Sequence, residues 1–269
     1  MTMVIGFLCP DGVVIGADRR ISVTTDTGTT FGESKIESYR WSNGSSIVGY
    51  SGDRDTWIRL RKELSGRLGS SMVLYDDDLR HAIAGALDHS LADGEAFCTF
   101  VGYWVDGERP CLIKTDGKKI SDVSSCEVIG WGNSSLSRYL MSTYEVLHHV
   151  SVPQVMVYAV NFISQATLYD GQYIGNGIDI YSLRIIKGLG PTPEGRVGVM
   201  MLPSYAVAEY QANIDAMNHQ LNILFGHLTD ASRPLKLDDF IGAIQKFRLW
   251  TSGSPEFTLS GFRTSGAQQ

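Results

Sequence analysis

Residues 2–20 read TMVIGFLCPDGVVIGADRR, and this stretch decides how the chain begins to fold. Two apolar, β-rich runs, 2–9 and 13–18, flank the turn signal Pro10-Asp11-Gly12, which predicts a hairpin centred near Asp11. In that hairpin Thr2 lies across from residues 19–20, with Asp18 a short diagonal away. A carboxylate is thereby brought to the start of the chain. Removal of Met1 would leave Thr2 with a hydroxyl to attack with and a free α-amine to take its proton, so nucleophile and base would be one residue.

Outward from this hairpin, the polar segment Thr24–Thr30 reads as a loop. The runs 35–41 (KIESYRW) and 45–51 (SSIVGYS) then flank Asn43-Gly44 and predict a second hairpin. With Asn43-Gly44 as a two-residue turn, Ser42 pairs with Ser45 and Lys35 falls opposite Gly52, with Gly49 about 10 Å along the strand. From Asp53 to about Leu68 the pattern is helical, and Leu79, Ile83, Leu87 and Leu91 follow Asp76-Asp77-Asp78, three aspartates that complement a helix dipole. Strand-like runs return at 96–104, 109–115, 118–123 and 126–131, followed by helical segments at 134–149 and 152–169 and strands at 178–187 and 195–202.

Strands grouped in hairpins, with helices supplied in consecutive pairs, predict an α+β fold. The expected architecture is a four-layer α-β-β-α sandwich of two antiparallel sheets with outer helices, occupying 1–202. Residues 203–269 change character: a long helical pattern at 204–228, a break at Ser232-Arg233-Pro234, a second helix at 237–250 and a Gly/Ser-rich end. They are expected to form a helical C-terminal extension that packs on the domain or on a neighbouring subunit.

Composition narrows the function classes. The net charge is −6, and the densest basic stretch, Arg59, Arg61 and Lys62, reads as the solvated face of a helix, so no nucleic acid partner is expected. Cys9, Cys98, Cys111 and Cys126 stand far apart without a C-x-x-C pair and read as reduced core residues. The six histidines are scattered, so neither a metal nor a cofactor is expected. The start of the chain lacks a basic n-region and its apolar runs are too short for a membrane span, so the expected location is the cytoplasm.

The chemistry sought at Thr2 needs particular partners. An α-amine titrates at about 7.7–8.0, and a nearby lysine lowers it by repulsion while stabilising negative charge on the hydroxyl oxygen. Lys35 is the candidate lysine, Asp18 the carboxylate that holds it charged, and Gly49 a glycine whose backbone N–H could approach a developing oxyanion.

Their order and spacing resemble the proteasome-type β subunits of the amino-terminal nucleophile hydrolases, bacterial proteasome-like peptidases included, over residues 2 to about 202. The family pattern of an amino-terminal Thr followed by a strand, a turn and G-V-[VI]-[VIL]-[AG]-[AG]-D-x-R is met by Thr2 and by Gly12-Val13-Val14-Ile15-Gly16-Ala17-Asp18-Arg19-Arg20. Lys35-Ile36 and Ser46-Ile47-Val48-Gly49 match its lysine and its oxyanion glycine. Gly130-Trp131-Gly132-Asn133 and Ala166-Thr167-Leu168-Tyr169-Asp170 match its G-x-G-S and A-x-x-x-D motifs, with Asn133 in place of a serine and Tyr173 in place of a second one.

The resemblance implies a threonine-type peptidase that forms an acyl-enzyme on Thr2. Catalytic roles then go to Thr2, Asp18, Lys35, Gly49, Asn133 and Asp170, supporting roles to Arg20 and Tyr173, and substrate contacts to Ser22, Ile47 and Ser51. It also implies a homo-oligomeric ring or spiral, a peptide or unfolded protein as substrate, and room for an unfoldase ATPase that no residue here identifies. Two alternatives share the pattern: a non-catalytic structural ring subunit and a non-proteolytic amidohydrolase. A dinucleotide-binding reading of Gly130-x-Gly132 fails because Ser135 stands at the third glycine position and no βαβ unit follows. A G-x-S-x-G elbow at Gly49 fails because Asp53 stands at its last position.

Overall fold

A computed structural model describes residues 2–22, 30–69, 72–130, 142, 150–171, 174–187 and 195–229. The first hairpin joins β1 (Val4–Cys9) to β2 (Gly12–Asp18), with Cys9 paired to Gly12 and Pro10-Asp11 at the turn. Continuing that register puts Met3 beside Asp18 and Thr2 beside Arg19, and the Asp18 N–H indeed donates to the Met3 carbonyl at 3.2 Å.

Two five-stranded antiparallel sheets carry the fold. The first has the order β10-β1-β2-β11-β12, where β10 is Cys126–Ile129, β11 Ile178–Ile186 and β12 Arg196–Met201. The second runs β5-β6-β7-β8-β9, through Ile36–Trp41, Gly44–Ser51, Cys98–Val105, Cys111–Asp116 and Lys119–Asp122. A two-stranded ribbon pairs β3 (Arg20–Ser22) with β4 (Thr30–Gly32), which ends the expected loop earlier than read.

Alternation along β6 shows how the second sheet is used. Ile47 joins a cluster containing Val4, Val13, Ile15 and Leu183 of the first sheet, whereas Val48 and Tyr50 join one containing Trp57, Leu60, Leu79 and Ile83. A period of two thus sends alternate residues of one strand to the other sheet and to the helices. Those helices are α1 (Arg54–Arg67) and α2 (Asp76–Ser90). Asp53 caps α1 by accepting from the Thr56 N–H at 2.8 Å, and Trp57 stacks on Tyr50 with ring centroids 4.5 Å apart. On the first sheet, α3 (Val152–Asp170) lies against β2 and β11, and its first N–H donates to Asp11 of the hairpin turn at 2.9 Å.

The second hairpin corrects the sequence reading. Trp41 pairs with Gly44, so Ser42-Asn43 form the turn and Lys35 stands opposite Tyr50 rather than Gly52. Packing overrides the Asn-Gly turn signal here: a Cβ on Gly44 would come within 2.8 Å of the Trp41 ring and 2.6 Å of the Trp104 carbonyl. Asn43 is meanwhile engaged elsewhere, donating to the Leu74 carbonyl and accepting from the Leu74 N–H, each at 3.0 Å.

The chain divides into two compact units, Met1–Tyr210 and Gln211–Gln269, and the helix α4 (Ser204–Thr229) runs through that boundary. Apart from Ser142, the helices expected at 134–149 and 237–250 fall outside the described residues. No described helix is long and apolar enough to cross a membrane.

Candidate active site

Asp18 ends β2 at the centre of the first sheet and is fully buried. One carboxylate oxygen accepts from the Met3 N–H at 2.8 Å and from Lys35 Nζ at 2.9 Å. The other accepts from the N–H groups of Arg20 at 3.1 Å and Gly175 at 3.3 Å. A carboxylate has about four acceptor positions, so this one is saturated and its orientation is fixed. The arrangement ties the start of the chain, the start of β3, the loop after α3 and the lysine to one group.

Lys35 is 1 % exposed and sits just before β5. Burial pushes its pKa below the ordinary lysine value; the charge and hydrogen bond of Asp18 and the charge of Asp179 oppose that fall, and Arg20 adds to it. An ammonium has three donors, and among the described residues only Asp18 takes one. The lysine therefore combines a reduced proton affinity with spare donors, as a charge placed beside a nucleophile requires.

Thr2 is half-buried at the mouth of this cluster. Gly130, one residue beyond β10, has a φ of +86°, and a Cβ there would come 2.2 Å from the Thr2 carbonyl oxygen and 2.1 Å from Ser51 Oγ. Ser51, the last residue of β6, is therefore a neighbour of Thr2 although it belongs to the other sheet. Arg20 runs from β3 to the end of α3, where its guanidinium donates to the Gly171 carbonyl, next to the half-buried Asp170.

Two assignments change. Ile47 is completely buried in the inter-sheet core, whereas Ser51, on the same face of β6, is 8% exposed. Gly49 has its N–H turned away from the site. The Tyr50 N–H donates to the Lys35 carbonyl at 3.2 Å, and the Thr99 N–H donates toward β8, to Thr115 Oγ1 at 3.1 Å. Alternation then directs the Gly49 N–H at its partner Phe100. The position needs glycine for packing, since a Cβ would approach Ile15 and Val4 to 2.9 Å.

Ser22 lies in the β3–β4 ribbon opposite Thr30, and Asn133 and Tyr173 lie outside the described residues. Sequence reasoning missed Gly175 and Asp179. Gly175-Asn176-Gly177 has positive φ at all three residues and wraps Asp18 and Arg19, with the Arg19 N–H donating to both glycine carbonyls at 3.1 Å. The Gly-Asn-Gly triplet is a turn signal that would have found it. Asp179, on β11 opposite Ala17, faces Arg19 at 3.6 Å, a charge contact too long for a hydrogen bond.

No protein-family model matches the chain, and no curated protein matches it in sequence. Its fold is similar to that of solved Anbu proteins. Anbu (ancestral beta-subunit) from Yersinia bercovieri superposes with a TM-score of 0.64 at 13% identity, covering 85% of this chain and 98% of that one. Anbu from Hyphomicrobium sp. strain MC1 gives 0.61 at 14%, covering 82% and 97%. The Anbu complex from Pseudomonas aeruginosa, solved as a helical assembly, gives 0.60 at 13%, covering 82% and 95%. At such identities what is shared is the fold. These neighbours also correct the family expected from the sequence motifs: Anbu proteins are proteasome-like but distinct from the proteasome-type β subunits.

Proposed function

We propose that this chain is an Anbu-like, self-assembling subunit whose two helix-covered sheets form a four-layer α-β-β-α sandwich, with 203–269 as a helical extension. We further propose that loss of Met1 makes Thr2 an amino-terminal nucleophile acting on peptide bonds. The observation that carries the chemical part is the buried Asp18 carboxylate, one oxygen of which takes both the Met3 N–H and Lys35 Nζ.

In this reading Thr2 Oγ attacks the carbonyl carbon of the substrate while its proton passes to the Thr2 α-amine. Lys35, held by Asp18, repels a proton on that amine and stabilises charge on the attacking oxygen. The tetrahedral intermediate collapses as the amine hands the proton to the leaving nitrogen, which gives an acyl-threonine. Water, deprotonated by the same amine, then adds to the ester carbonyl, and collapse with return of that proton to Thr2 Oγ releases the acid. Asp170 and Arg20 support the Thr2 side of the cluster, the motif match gives Asn133 a catalytic and Tyr173 a supporting role, and Ser22 contacts substrate. Peptides or unfolded proteins are the proposed substrates, delivered to a ring or spiral in the cytoplasm, with an unfoldase ATPase as an admissible partner.

A structural subunit without turnover is the second reading, favoured by the Gly49 N–H, which faces Phe100 instead of an open site. Turnover of fluorogenic peptides separates the two. Thr2→Ala abolishes cleavage under the first reading, and no cleavage by the parent protein with Met1 removed supports the second. Sedimentation of the purified protein tests assembly, which a stable monomer would rule out.

A further inference from the structure

The chain carries two Asn-Gly pairs, Asn43-Gly44 and Asn176-Gly177, and the fold treats them oppositely. The Asn43 side-chain amide is bonded at both ends to the Leu74 backbone, its main-chain carbonyl accepts from the Asp106 N–H at 2.7 Å, and Gly44 is buried at the start of β6. Asn176 and Gly177 are both exposed. Among the described residues, neither the Asn176 side chain nor the Asn176–Gly177 peptide has a hydrogen-bond partner. Gly32 faces this pair without a side chain: a Cβ there would stand 3.2 Å from the Asn176 carbonyl oxygen and 3.6 Å from its Cβ.

Backbone geometry explains why such a pair stands here. Gly175, Asn176 and Gly177 have φ of +147°, +60° and +105°. Asparagine is one of the few residues with a side chain that adopts +60° readily, and +105° is left to glycine. The same two residues make a chemically fragile sequence. The amide carbon of an asparagine side chain can be attacked by the backbone nitrogen of the next residue, and glycine alone offers that nitrogen without a side chain to crowd the ring.

We propose that Asn176 is a site of spontaneous deamidation. The Gly177 nitrogen bonds to Asn176 Cγ and loses its proton, and the side-chain nitrogen leaves as ammonia, which gives a succinimide. Water then opens the ring. Addition at Cγ gives aspartate; addition at the main-chain carbonyl carbon gives isoaspartate, in which the backbone runs through Cβ and Cγ and is one carbon longer. Both products add a negative charge.

The longer product is felt at the buried carboxylate. Gly175 donates to Asp18 at 3.3 Å, and the Gly175 and Gly177 carbonyls both accept from the Arg19 N–H at 3.1 Å. These bonds tie down the two glycines that flank Asn176, so an extra backbone carbon between them pulls at least one of the three apart. The effect on cleavage rests on the nucleophile reading of Thr2, but the modification does not.

The test ages the full-length protein in mildly alkaline buffer and follows the amide-to-acid mass change in the peptides that contain Asn176 and Asn43, with isoaspartyl methyltransferase labelling to identify the longer product. Asn176 is expected to convert about tenfold or more faster than Asn43, which must first break two hydrogen bonds to Leu74. In urea the two rates converge. Equal rates in the folded protein, or the same preference in urea, overturn the proposal. Amide exchange at Gly175 and Arg19 is expected to rise about fivefold or more in the isoaspartyl fraction, the factor for one hydrogen bond, and unchanged exchange there would overturn the link to Asp18. Asn176→Gly, which keeps the positive φ and has no amide to lose, is expected to hold exchange constant on ageing. Cleavage that declines with conversion in the parent but not in Asn176→Gly carries the effect to turnover, whereas conversion in a protein that never cleaves keeps the modification and removes the nucleophile reading instead.

Discussion

The two hairpins that meet at Thr2 behave differently. In β1–β2 the turn residues, the register and the position of the acid all follow from local sequence, because the other demands on the turn, Asp11 accepting from the Val152 N–H and Gly12 packed against the Leu183 carbonyl, are met in the register that the turn favours. In β5–β6 an Asn-Gly pair that favours a turn is displaced by one residue, because Gly44 is needed under the Trp41 ring and Asn43 serves the Leu74 backbone. Turn chemistry decides a register when the tertiary contacts of its residues agree with it and yields when they do not. The charged pair, which depends on spacing, survives the difference. The backbone donor, whose direction depends on register, does not.

The largest effect that would break this comparison lies at Asp18, the group both hairpins share. Asp18→Ala strands a buried ammonium and three backbone donors, and is expected to cost about 3–5 kcal/mol in urea unfolding. A loss below 1 kcal/mol would mean that the pair is not the junction of the two hairpins. Gly49→Ala comes next. Overpacking against Ile15 and Val4 is expected to cost about 1–3 kcal/mol, read as a lower unfolding midpoint. Intact stability with lost cleavage would return Gly49 to the active site. Asn43→Ala removes two hydrogen bonds to Leu74 and is expected to cost about 1–2 kcal/mol by the same assay. No loss would weaken the account of why the turn moved.

A smaller effect concerns pH. Burial lowers the Lys35 pKa, and Asp179 opposes that fall, so Asp179→Asn lowers it further. The lysine then loses its proton at a lower pH, and the alkaline limb of cleavage moves toward neutrality. A shift in the other direction would remove Asp179 from the surroundings of Lys35.

How much was legible in the sequence follows from the same contrast. Both sheets' strands were readable from alternation and turn signals, and so was the place of Asp18 beside the start of the chain, since the first hairpin dictates it, whereas the partner of Lys35 across the second hairpin was misread by two residues. Ile47 was misplaced because identity and spacing do not tell how far along β6 the inter-sheet core extends. Gly49 was misread because glycine marks both a close backbone approach and a close sheet, and only the register separates them. Gly175 escaped notice although Gly175-Asn176-Gly177 is an explicit turn, because its contact with Asp18 spans 157 residues of chain.

The central claim, that Thr2 is a free amino-terminal nucleophile beside the Asp18–Lys35 pair, is tested most directly by mass spectrometry of the amino-terminal peptide after incubation with a peptide β-lactone, which acylates a reactive threonine. The account predicts a peptide that begins at Thr2 and carries one acyl group on it, with labelling lost in Lys35→Ala. Retention of Met1, or a free and unlabelled Thr2 in the parent protein, would contradict it.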